Sequence, residues 1–148
     1  MSDEKNSWQE KDTSKLDEEL AGSAGLTDFL QKNHELFVDH QVDEELTRLL
    51  KEKNIQKSEL AKRSGMSDVY LYQVLSRRRT PSRDRLLCLC IGMGCTLDET
   101  QEVLKRCRYV PLYSKIRRDA AIMYALMNGW NIDQLNDNLF QIEEETMF

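Results

Sequence analysis

Residues 55–99 read IQKSELAKRSGMSDVYLYQVLSRRRTPSRDRLLCLCIGMGCTLDE, and this stretch decides the fold. A helix is expected over 57–64, stopped by Gly65, which can take the left-handed conformation that ends helices. Ser67 is placed to cap a second helix running to about 76, with Leu71, Val74 and Leu75 facing inward at helical spacing. Ala61 is small where those two helices must cross. Thr80 and Pro81 then break the chain, and further helices are expected over about 83–92 and, capped by Thr96, over about 97–107. On the N-terminal side, Leu46, Leu49 and Leu50 mark a helix near 44–53 closed by Asn54.

A small residue at a crossing, a glycine in a tight turn and apolar anchors under the following helix resemble the Cro and lambda-repressor type of helix-turn-helix regulator, including longer bacterial members with helical extensions at both ends. The resemblance covers residues 44–107. It implies an all-α, five-helix DNA-binding domain whose third helix, about 68–76, lies in a major groove with its N-terminal side chains at base edges. Asp68, Val69, Tyr72 and Gln73 are then the base-reading candidates. Gln73 can pair bidentately with adenine, Val69 can touch a thymine methyl, and Asp68 either accepts from cytosine or caps its own helix. Tyr72 is expected outside and Tyr70 partly inside. Lys57, Ser67, Arg77, Arg78 and Arg79 are the phosphate-binding candidates, the arginines from a position where guanidinium groups can clamp the backbone. The alternative for the arginines is a solvated cluster at a helix C-terminus. One departure stands out. Where many members carry Glu and then Gly after the third helix, this chain has Leu75 and Arg77, so the following loop need not take the usual path.

Charge is segregated along the chain. Residues 1–43 carry 4 basic and 11 acidic side chains, residues 44–83 carry 10 and 5, and residues 84–148 carry 7 and 10, within a total net charge of −5. The basic excess falls on the block that holds the DNA-reading candidates, as phosphate binding would require. Residues 1–24 are polar and acidic and are read as a tail in which Trp8, Leu16 and Leu20 can form one amphipathic turn. Residues 25–43 are read as an N-terminal helix on the body, with Leu26, Phe29, Leu30, Leu36 and Phe37 on one face and Thr27 or Asp28 as cap.

Residues 111–148 are read as a helical hairpin, about 115–127 and 132–140, that extends the domain at 44–110. Residues 83–113 and 118–148 align without a gap at an offset of 35, with Arg83, Asp84, Gly94, Asp98 and Leu104 matching Arg118, Asp119, Gly129, Asp133 and Leu139. Apolar pairs keep phase: Leu87 with Ile122, Ile91 with Leu126, Leu97 with Ile132, Leu112 with Met147, Tyr113 with Phe148. The repeat predicts that the last two helices copy the preceding pair, that Gly129 takes the turn position of Gly94, and that Phe148 buries its ring as Tyr113 does. Two readings of Trp130 stand: an exposed contact for a second subunit or partner, or a buried turn anchor.

These features leave few function classes. No run reaches the roughly 18 apolar residues of a membrane span, and MSDEKNSWQEKD lacks a basic region followed by an apolar core, so a cytoplasmic protein is expected. Cys88 and Cys90 point about 200° apart on a helix and cannot converge on a metal, so these two, Cys95 and Cys107 are read as reduced core thiols. His34 and His40 lack a glutamate that would complete a zinc-hydrolase motif, and neither a glycine-rich phosphate loop nor a glycine-flanked nucleophilic serine is present. No cofactor, no metal and no catalytic residue is expected. The leading reading is a sequence-specific transcriptional regulator of double-stranded DNA, acting as a homodimer because one such helix reads only a short half-site. The alternative is a protein-interaction adapter that keeps the fold without binding DNA, with its partner on the C-terminal extension.

Overall fold

The computed structural model describes residues 13–34 and 41–148, and these are helical and connecting segments without strands. The chain divides into two compact units, residues 1–38 and 39–148. In the first, α1 (Thr13–Gly22) and α2 (Leu26–Lys32) pack on each other. Residues 13–22 are thus helical where the sequence reads as a polar tail. Leu16 and Leu20 are spaced one turn apart on a stretch of good helix formers. Gly25, rather than Thr27 or Asp28, precedes α2, and no side chain caps it. Phe29 and Asn33 are buried, and Asn33 Nδ2 donates to Glu19 and to the Phe29 carbonyl. Trp8, Leu36, Phe37 and His40 lie outside the described residues, and His34 is exposed.

The second unit begins with α3 (Val42–Lys53), whose first turn carries Asp43, Glu44 and Glu45 and whose last carries Lys51 and Lys53. That polarity complements the helix dipole. Asn54, at φ 54°, closes it in the left-handed conformation. Then come α4 (Lys57–Arg63), α5 (Asp68–Leu75), α6 (Arg83–Gly92) and α7 (Leu97–Arg106), within a residue or two of the helices expected from sequence. With α3 they make the five-helix, lambda-repressor-like arrangement. Leu86 to Cys90 are all buried, so α6 is covered on every side and forms the centre of the core. Cys88, Cys90 and Cys95 are buried free thiols and Cys107 is half-buried; burial pushes the Cys88 and Cys107 thiols up to about 12. Among the described residues no cluster could hold a metal ion and no helix is long and apolar enough to cross a membrane.

The C-terminal helices α8 (Arg117–Met127) and α9 (Ile132–Gln141) repeat α6 and α7. Gly94 and Gly129 turn the two hairpins at φ 70° and 65°, and Arg108 and Glu143 close them at 67° and 61°. Both second helices start with a reciprocal capping box, Thr96 with Glu99 and Asn131 with Gln134. α9 packs on α6 and α7 packs on α8, the exchange expected of a local twofold relation. The paired side chains follow it. Arg83 donates to both carboxylate oxygens of Asp119 at 3.1 and 2.9 Å, and to the Val110 and Pro111 carbonyls at 2.8 and 3.1 Å. Arg118 donates to both oxygens of Asp84 at 2.9 and 3.0 Å, and to the Glu145 and Thr146 carbonyls at 2.8 and 3.2 Å. Burial disfavours ionisation of Asp119, but the Arg83 guanidinium, the Tyr113 amide and Arg118 outweigh it, so its carboxyl titrates below the ordinary value.

The copies differ where they meet their surroundings. Leu112 and Met147 are both buried, yet Tyr113 and Phe148 are 52% and 58% exposed, so neither ring is buried as the sequence predicts. The backbone at each end bonds inward, Leu112 N to Gln101 and Met147 N to Asn136, which sends the next side chain outward. Phe148 instead leans on the α4–α5 turn, where a Cβ added to Gly65 would lie 2.5 Å from its ring. Trp130 is half-buried, edge-on to Tyr124 at 5.2 Å between ring centroids.

Candidate nucleic-acid interface

The α4–α5 turn has the local chemistry that two crossing helices need. Ala61 is buried, Gly65 takes φ +68°, and the Met66 amide donates to the Ala61 carbonyl at 2.9 Å. Ser67 caps α5, its hydroxyl oxygen accepting from the Tyr70 amide at 3.0 Å. Asp68 is therefore not the cap and stands exposed in the first turn. Leu71 and Val74 are buried, which fixes the rotation of α5 about its axis. That rotation leaves Val69 and Tyr72 66% and 61% exposed, with Asp68 beside them and Gln73 half-buried on the same outer stripe. All four base-reading candidates share one accessible face.

Lys57 and Ser67 are exposed at the first residue of α4 and the cap of α5. The three arginines after α5 divide into different roles. Arg78 is exposed, with its guanidinium carbon 5.9 Å from the Tyr72 ring centroid. Arg79 donates from Nε to Gln73 Oε1 at 3.0 Å and lies 5.4 Å from the Tyr70 ring. Arg77 takes φ 64° and turns back toward α3, donating to both Asp43 oxygens at 2.9 and 3.0 Å and to Glu44 at 2.9 Å. Its guanidinium is thus occupied by carboxylates at the position where sequence placed a phosphate clamp. The left-handed residue and its ion pairs also give the loop after α5 a path without the usual glycine.

Sequence reasoning missed Arg85, whose guanidinium carbon sits 4.7 Å from the centroid of the Tyr70 ring, the ring that Arg79 also contacts. Tyr70 is therefore flanked by two cations, an arrangement favoured by the negative face of its ring. A tyrosine and arginines 9 and 15 positions later carry no spacing signal; the break at Thr80 and Pro81 brings them together. In this region arginines lie against the Tyr70 and Tyr72 rings, a grouping of cations and aromatics that suits a polyanion with planar bases.

Residues 46–99 match the model of a helix-turn-helix family. This agrees with the Cro and lambda-repressor kinship read from the sequence. Comparison with curated proteins and with solved structures found no match. The match spans α4, α5 and their turn, and through this segment the chain is similar to helix-turn-helix domains.

Proposed function

We propose that this protein is a sequence-specific transcriptional regulator that lays α5 in the major groove of double-stranded DNA. The observation that carries the reading is the outer stripe of α5, where Asp68, Val69, Tyr72 and Gln73 are presented together within residues 44–83, a block with 10 basic and 5 acidic side chains. Val69, Tyr72 and Gln73 meet base edges, with Asp68 at the groove entrance. Lys57, Ser67 and Arg78 meet phosphates, Arg79 stands between the two groups, and Arg77 holds the loop that carries its neighbours. Two copies bind as a dimer, each reading one half-site. The test is binding of the full chain to DNA from around its own gene across a salt series. A steep loss of affinity with salt and preference over random DNA are expected; no binding at low salt would reject the reading.

A second reading, a protein-interaction adapter, is favoured by one observation on the repeat. In the first copy α4 covers α6 so closely that a Cβ on Gly92 would lie 2.3 Å from Ser64 Oγ, and Leu89 is fully buried. Their counterparts on α8, Met127 and Tyr124, are 63% and 55% exposed, and Ile116, the residue before the helix, is 48% exposed. Such exposed apolar side chains suit a protein partner. It is compatible with DNA binding through α5, so only failure in the salt series makes it the main function.

A further inference from the structure

Gln73 and Arg79 form one hydrogen-bonded unit. Arginine has donors and no acceptor, so the amide atom that faces Arg79 Nε at 3.0 Å is the oxygen, and the other side of the amide is NH2. The unit is held from behind. The amides of Arg78 and Arg79 both donate to the Gln73 carbonyl, at 2.9 and 3.2 Å, which folds the chain back over the last turn of α5. The Arg79 guanidinium also rests on Tyr70, one turn before Gln73 on α5.

We propose that Gln73 and Arg79 jointly read a guanine. This rests on α5 entering the major groove, as proposed above. A lone glutamine suits adenine because its oxygen accepts from the N6 amino group while its NH2 donates to N7. In this chain the oxygen is engaged by a cation, whose guanidinium keeps further N–H donors not used in that bond. The unit therefore offers donors on both sides. Guanine presents two neighbouring acceptors, O6 and N7, and matches it; adenine would set its N6 amino group against donors. Arg79 acts here as a positioning residue for Gln73 and as a donor at the base edge. Arg78, which makes no such bond to Gln73, has no part in the choice of base.

The experiment is selection of bound sequences from random DNA by the full-length chain and by three variants. The wild type is expected to enrich a guanine at one position of each half-site, and Gln73→Ala to lose the preference there. Arg79→Ala is expected to change that base from guanine to adenine, because the freed amide regains its acceptor. A charge lost from a phosphate contact would lower affinity without changing the base, which is the result expected of Arg78→Ala. Replacing the guanine by 7-deazaguanine should weaken wild-type binding about tenfold, at the lower end for loss of a base contact. Enrichment of adenine by the wild type at the position lost in Gln73→Ala overturns the guanine assignment and upholds DNA reading by α5. An Arg79→Ala variant that keeps guanine also overturns it. No enrichment by the wild type overturns this inference together with the proposed function.

Discussion

Arg118 grips Asp84 with two hydrogen bonds of 2.9 and 3.0 Å, and the equivalent pair in the other copy of the repeat, Arg83 with Asp119, is exchanged across the same junction. Each arginine reaches from its own helix start to the carboxylate of the other, and then to carbonyls at the far end of its own hairpin. The RD pair is therefore a crosslink between the five-helix unit and its extension. It is not a local cap.

Asp119→Asn should destabilise the fold by about 3 kcal/mol, because it leaves a guanidinium facing a neutral side chain in a buried junction. The lower end of the range applies since Arg83 keeps 26% side-chain exposure. Urea denaturation measures it, and a change below ~0.5 kcal/mol, typical of a surface substitution, would mean that the pair is merely peripheral.

The same carboxylate sets a pH dependence. Its folded value lies below the ordinary 3.8, so the stabilisation is fully present above that value and is lost as pH falls through the folded one. The gap in urea midpoint between wild type and Asp119→Asn should stay constant near neutrality and close in acid. A gap that instead widens on acidification would assign the opposite sign to the shift.

Gly92→Ala should cost about 1–3 kcal/mol by overpacking α4 against α6. The added Cβ meets Ser64 Oγ at 2.3 Å, so combining it with Ser64→Ala should recover part of the loss. Met127→Ala, at the equivalent and 63% exposed position of α8, should change stability little. Equal losses at the two sites would show that the face on α8 is covered.

Truncation after Tyr113 removes α8 and α9, strips Arg83 and Asp84 of their partners and uncovers apolar surface on α6. Lower stability or solubility is expected while α5 itself remains in the chain. Thermal unfolding of the truncated protein that matches the full chain would contradict the docked hairpin.

Arg78→Ala should make the salt dependence of DNA binding shallower by about one unit of slope, the signature of one lost phosphate contact. Arg77→Ala should alter it less, since Asp43 and Glu44 already hold that guanidinium. Comparing the two slopes on the same DNA checks both roles.

The helices from α3 onward and the repeat were legible in the sequence because their signals are local or periodic, whereas α1 reads as a tail. Gly65 stops a helix and Ser67 starts one by backbone chemistry alone, while the apolar phase of Leu71 and Val74 fixes which face of α5 turns outward. The offset of 35 carried matched turns at Gly94 and Gly129 for the same reason. Tertiary structure decided what those faces meet. Identity between Arg83 and Arg118 predicts two equivalent sites, but only the crossing of the hairpins turns each toward the other's aspartate. Arg77, Arg78 and Arg79 are adjacent and alike in sequence, yet one binds carboxylates on α3, one lies by Tyr72 and one engages Gln73. A long charged side chain reaches partners several residues or many residues away, so its role depends on where the backbone has carried those partners, and no spacing rule records that.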